Sequence, residues 1–131
     1  MKFKALALAI VATLAMGVVA AQAGTTKKFN STVSLQYDPA NGGPYDPYGE
    51  DKFKGKVRSP RRKCEKDRIV VVKNVGGGNV GSDVTNDQGN YSVNASAATT
   101  GDYYAVAKRK KFGSRTRKIC RRAESDTVSV P

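Results

Sequence analysis

Lys52-Phe53-Lys54-Gly55-Lys56-Val57-Arg58 alternates without interruption between a cation and an apolar or small residue. Successive side chains of a strand point to opposite faces, so Phe53, Gly55 and Val57 share one face and four cations share the other. Such a segment is a half-buried strand with a cationic outer surface. It excludes an amphipathic helix, whose apolar residues would recur every three or four positions. Asn90-Tyr91-Ser92-Val93-Asn94-Ala95 repeats the scheme, with Tyr91, Val93 and Ala95 inward.

Further strands are predicted at Ser31 to Tyr37, Arg68 to Lys73, Ser82 to Thr85, Tyr103 to Lys108, Arg117 to Cys120 and Thr127 to Val130, separated mostly by Gly, Asn, Asp and Pro. Short strands without helices predict an all-β sandwich. In Ile69-Val70-Val71-Val72 and Tyr103-Tyr104-Ala105-Val106-Ala107 both faces read as apolar, which predicts a cover on the second face. Asn86-Asp87-Gln88-Gly89-Asn90 supplies the glycine that a tight hairpin turn needs at positive φ.

The N-terminus sets the compartment. Lys2 and Lys4 precede a run from Ala5 to Ala21 of small or apolar residues broken only by Thr13, and the run closes on Ala21-Gln22-Ala23. This is the pattern of a signal peptide over residues 1–23 with an A-x-A cleavage site, so the expected mature chain starts at Gly24 and is secreted, either extracellular or periplasmic. The run is shorter than the roughly 20 residues of a spanning helix, and no transmembrane segment is expected after cleavage. The mature chain reads as one domain, 24–131. An N-terminal strand and a Pro/Gly-rich loop occupy 24–50, and the sandwich body occupies 51–131.

Cys64 and Cys120 are the two cysteines, and in an exported chain they are expected to form one disulfide. Closing a loop of 56 residues stabilises the fold by about 4 kcal/mol in the chain-entropy picture. The chain has no histidine, so a zinc site lacks ligands and a thiol nucleophile lacks an imidazole base.

The succession Phe53-x-Gly55-x-Val57, Cys64, Arg68-x-Val70-x-Val72, Thr85-x-x-x-Gly89-x-Tyr91-x-Val93, Gly101-x-Tyr103-Tyr104-Ala105 and Cys120 before Val128 resembles transthyretin-like, carboxypeptidase-regulatory-like domains. The resemblance spans residues 51–130, and its most specific element is Thr85-x-x-x-Gly89-x-Tyr91. It implies a prealbumin-like Greek-key sandwich of about seven strands, in a secreted stand-alone form. It transfers no functional residue.

Motif by motif, the chain offers little for catalysis or cofactors. Gly76-Gly77-Gly78-Asn79-Val80-Gly81 satisfies G-x-G-x-x-G, but Ser82-Asp83-Val84-Thr85 continues as strand, where a dinucleotide site needs a helix N-terminus. It reads as a hairpin loop. Asp38, Asp46, Glu50 and Asp51 match no EF-hand spacing and read as turn formers, with a calcium site in the loop as the alternative; Tyr37, Tyr45 and Tyr48 read as caps on the core edge, with a carbohydrate or peptide site as the alternative. Asp67, Asp83 and Asp87 are the carboxylates left for a small extracellular hydrolase, the alternative to a binding module; a scaffold without a ligand is the third reading. Neither cofactor nor metal is expected. The sequons at Asn30, Asn90 and Asn94 allow glycosylation only where the source carries it out.

Charge is the remaining lead. The formal net charge is +12, and loss of Lys2 and Lys4 with the leader lowers it to +10. Lys108, Arg109, Lys110, Lys111, Arg115, Arg117, Lys118, Arg121 and Arg122 surround Cys120, while Arg58, Arg61, Arg62, Lys63, Lys66 and Arg68 surround Cys64. A disulfide would press these segments together. Each pair of cations at ~8 Å repels by about 0.5 kcal/mol even in water, and Glu65, Asp67, Glu124 and Asp126 relieve only part of this. An anionic polymer or anionic surface outside the cell, rather than intracellular nucleic acid, would relieve the rest. The expected site comprises Arg61, Arg62, Lys63, Lys108, Arg109, Lys110, Lys111, Arg115, Arg117, Lys118, Arg121 and Arg122, centred on Arg61, Arg62, Arg121 and Arg122. Phe112 is an added contact at a loop tip.

The leader makes the first prediction: intact mass of the secreted product should correspond to a chain beginning at Gly24. A membrane-bound species that retains Met1 to Ala23 would overturn it.

Overall fold

Strand pairing dominates the computed structural model, which describes residues 25–39, 50–96 and 98–131. In chain order the strands are β1 (Thr26–Phe29), β2 (Thr32–Val33), β3 (Gln36–Asp38), β4 (Lys52–Arg58), β5 (Ile69–Asn74) and β6 (Asn79–Val84). They continue with β7 (Asn90–Asn94), β8 (Gly101–Ala107), β9 (Lys110–Phe112), β10 (Arg117–Cys120), β11 (Ala123–Glu124) and β12 (Val128–Val130). The helical content among the described residues is a single 3₁₀ turn, Arg62–Cys64. The all-β reading therefore holds. The expected leader, residues 1–23 with Gly24, lies outside the described residues, as do Tyr45, Asp46 and Tyr48.

Two sheets enclose the core. In the first, β4 is central, pairing with β2 and β3 along one edge and with β7 along the other. In the second, the order is β11-β8-β5-β6, and β12 pairs with β8. The period-two pattern sorts the side chains as expected: Phe53, Val57, Tyr91 and Val93 face inward and meet Val70, Val72, Tyr103, Ala105 and Ala107 of the other sheet. Phe53 links the layers, with its ring 5.2 Å from Tyr103 and 5.6 Å from Tyr37. Fully burying a side chain of this size stabilises by about 1.5–3 kcal/mol, so these few residues carry much of the fold.

The two doubly apolar strands are resolved by their neighbours. Val70 and Val72 enter the core, while Val71 pairs with Val106 on the opposite face and both are buried there. On that same outer face Ile69 lies opposite Val84, and both remain about half exposed. Gly76 to Gly78 lie in the turn between β5 and β6, and Gly81 lies within β6, as a hairpin loop requires.

Each residue of the Thr85/Gly89/Tyr91 motif has a structural task. Thr85 is buried; its hydroxyl donates to Glu65 O at 2.6 Å and accepts from the Arg68 amide at 2.8 Å. Gly89 has φ +81 and passes so near β4 that a Cβ there would lie 2.4 Å from Val57 O. The Tyr91 hydroxyl donates to Ser34 O, passing over Gly55, where a Cβ would collide with both. The expected hairpin is modified in one respect. Its turn closes locally, with Asn86 N–H bonded to Asn90 O, but β6 and β7 pair into different sheets. The turn therefore carries the chain from one layer to the other.

Arg68, grouped with the surface cations on sequence, is fully buried. Asp67 takes φ 53, and the reversal aims Arg68 inward. Its Nε donates to Lys108 O at 3.0 Å, Nη2 to Arg121 O at 2.9 Å, and Nη1 to both Cys64 O at 2.8 Å and Ser31 Oγ at 2.9 Å. Burial pushes its pKa below the usual arginine value, yet arginine stays charged in proteins. The cation is thus dispersed over neutral acceptors from four chain segments.

Replacing Arg68 by Met should leave the carbonyls of Cys64, Lys108 and Arg121 without this donor. Each buried unsatisfied group costs about 1–3 kcal/mol, so a loss of roughly 3 kcal/mol or more is expected in urea unfolding. A loss below about 1 kcal/mol would show that the guanidinium is dispensable.

Candidate polyanion site

The basic segments are arranged by an extension of the second sheet. The offset that pairs Ala107 with Ala123 also pairs Lys110 with Cys120, so β8–β9 and β10–β11 form one long hairpin with a break. At the break, Lys108 N–H donates to Ile69 O and Arg121 N–H donates to Phe29 O. Arg68 occupies the gap by binding the carbonyls of the same two residues. Beyond it, β9 and β10 leave the body as an arm, and β1 joins β10 in parallel to make a three-stranded sheet, β1-β10-β9.

The expected disulfide, Cys64–Cys120, is present, with its Cα atoms 5.4 Å apart, and it pins the arm to the 3₁₀ turn. Both cysteines are fully buried. Side chains in register share a face, so Lys27, Lys118 and Phe112 form one row across the arm, on the face that Cys120 turns toward the 3₁₀ turn. Phe112 receives Lys63 Nζ at 5.6 Å and Lys118 Nζ at 5.8 Å from its ring centroid, and the Arg61 guanidinium lies 5.9 Å from the Phe29 ring. Cations at these distances are attracted by the ring quadrupole.

Like charge dominates this face. The pKa of Lys118 is pushed below 10.5, first by the Arg61 charge, then by burial, then by Lys27 and Lys63. Of the nearby carboxylates, Glu124 pairs with Arg122 at 2.6 Å and Glu65 accepts the Ser59 amide, while the charge of Asp67 acts on Lys110.

Of the twelve basic residues expected at the site, Arg61, Lys63 and Lys118 converge around Phe112 and Phe29. Lys110 turns inward, donating to Lys63 O and Lys66 O at 2.9 Å, and burial lowers its pKa. It supports the turn. Arg62, Lys108, Arg109, Lys111, Arg115 and Arg117 are exposed around the arm. Arg121 and Arg122 line a separate open cleft of about 520 Å³ with Ser31, Thr32, Glu124 and Asp126. Lys27 and Phe29 were missed on sequence, because only parallel pairing with a strand far down the chain brings them here. Phe112 is more than a loop tip, since two ammonium groups hold its ring.

Four of the other candidate carboxylates have structural partners. Asp38 pairs with Lys54 at 2.8 Å, Asp51 accepts from the Tyr37 hydroxyl at 2.7 Å, and Glu50 accepts from Asn94 Nδ2. Asp83 accepts the Ser92 amide at 2.9 Å. No group of three or more metal-ligating side chains is gathered among the described residues, and no helix there is long and apolar enough to cross a membrane. Comparison of the chain with protein-family models, with curated proteins and with solved structures found no match.

Crowding of positive charge makes Lys118 a reporter. In the folded state its charged form is disfavoured, so the native protein releases this proton at lower pH than the unfolded chain does. Stability should therefore rise with pH as it passes through the depressed native pKa, up to the ordinary lysine value of 10.5. An Nζ-detected NMR titration should place Lys118 below 10.5, and Arg61→Gln should move it back up. An unchanged value in the variant would remove Arg61 from the cluster.

Proposed function

We propose that this chain is a secreted, non-catalytic β-sandwich module that binds a polyanion outside the cell through the arm and the 3₁₀ turn. The observation that carries the reading is the convergence of Lys27, Arg61, Lys63 and Lys118 on one face, where the charges acting on Lys118 are all positive. A fold that merely needed solubility would spread its cations, because crowding them opposes folding without adding hydration. An anionic partner converts the same repulsion into binding energy. The exposed Arg62, Lys108, Arg109, Lys111, Arg115, Arg117, Arg121 and Arg122 extend the positive field around this centre.

The export reading rests on the leader pattern and on a disulfide that persists only under oxidising conditions. The prealbumin-like, Greek-key assignment rests on the sequence resemblance, and the roles of Thr85, Gly89 and Tyr91 support it. The three sit at a turn between layers, where each is structurally constrained. The reading as a binding module is favoured over the hydrolase because the Asp83 carboxylate already accepts the Ser92 amide.

Retention on an immobilised anionic polysaccharide tests the reading. The oxidised protein should be retained at low salt and released steeply as salt is raised, since screening and counterion release weaken each contact. The triple variant Arg61→Glu, Lys63→Glu, Lys118→Glu should elute at markedly lower salt with its thermal unfolding retained. Equal retention of folded variant and wild type would place the site elsewhere, first of all at Arg121 and Arg122.

A further inference from the structure

One phenyl ring brings two ammonium groups together. Lys63 and Lys118 approach Phe112 from different segments, the 3₁₀ turn and the arm, and both Nζ atoms lie within 6 Å of its centroid. Lys27 continues the row on the far side of Lys118, at the roughly 4.8 Å spacing of neighbouring strands. Arg61 stands over Phe29 on the same face. Four cations from three chain segments are thus held close together by aromatic faces and by the disulfide, not by carboxylates.

This spacing selects among anions. A carboxylate polymer carries its charges a whole sugar apart and meets the cluster with one or two groups. A condensed-phosphate chain carries charge and several acceptor oxygens on every phosphorus, and so can engage all four cations at once. Lysine binds phosphate as a point charge and arginine through its planar fork, and both are present.

We propose that Phe112 is a positioning residue that gathers Lys63 and Lys118, with Lys27 and Arg61 beside them, into a receptor for closely spaced phosphoryl groups. The inference rests on the polyanion reading above and adds the ligand class. Phe112 itself need not touch the ligand. Its quadrupole lowers the cost of holding the two ammonium groups together before the anion arrives, so the receptor is preorganised.

The test titrates the oxidised, full-length mature protein with linear inorganic polyphosphate and with polygalacturonate, at equal charge concentration and ionic strength. Wild type should bind polyphosphate about tenfold more tightly or better. Phe112→Leu keeps every charge but removes the quadrupole; it should weaken polyphosphate binding about three- to tenfold and polygalacturonate binding less than about twofold. Phe112→Trp, which keeps an aromatic face, should restore the selectivity. Should the leucine variant unfold, Lys63→Gln probes the same array without touching the ring, and it too should cost polyphosphate at least about threefold. Wild type that binds both polymers equally, or a folded Phe112→Leu or Lys63→Gln protein that loses nothing on polyphosphate, would overturn the phosphoryl receptor while leaving polyanion binding intact. Wild type that binds neither polymer would overturn both.

Discussion

A guanidinium buried without a carboxylate partner is an unusual keystone, and in this protein much else depends on it. Arg68 donates to acceptors at Ser31, Cys64, Lys108 and Arg121, which belong to the N-terminal segment, the 3₁₀ turn and the two sides of the long hairpin. Desolvating a charge is costly, and only the short charge-assisted bonds to all these groups make the position tolerable. A lysine offers three donors from one point and could not span them, whereas the planar guanidinium presents five in a fixed fork. The break in the hairpin exists where Arg68 fills it, and from that break the arm departs.

The disulfide acts on the same segments by a different physical route. Cys64–Cys120 narrows the unfolded ensemble, and Arg68 satisfies backbone groups in the folded one. Together they hold the turn against the arm despite the positive charges both carry. The repulsion opposes folding, and the fold sustains it because the apolar body around Phe53, Val70, Val72 and Tyr103 does not share in it. Stability resides in the sandwich and electrostatic tension in the arm. On the proposed reading, such separation lets the arm keep unfavourable self-interactions that an anionic ligand would relieve.

The cation–π contacts on Phe29 and Phe112 refine the distribution of charge without neutralising it. A carboxylate at the same position would cancel a cation and compete with an incoming anion. A phenyl ring attracts the ammonium group and leaves its charge available. Glu124 is paired with Arg122 and Glu65 with the Ser59 amide, and neither contributes to the charges that act on Lys118.

How far the fold and the site were legible differs by the range of the interaction. Alternation in Lys52–Arg58 and Asn90–Asn94 assigned strand and face correctly, because a strand's period of two is a local property and one buried face makes it visible. The cysteine pairing followed from the count of two together with the export reading. What could not be read was every feature made by contacts distant in sequence: the parallel docking of Thr26–Phe29 onto Arg117–Cys120, the inward turn of Lys110, and the layer change at Asn86–Gly89. Arg68 and Arg61 look alike as letters in a basic run, yet one is a buried bolt and the other a surface cation. Local spacing encodes which face a residue occupies, but which charges are solvated, spent or crowded depends on the neighbours that non-local pairing brings, and no short-range pattern records them.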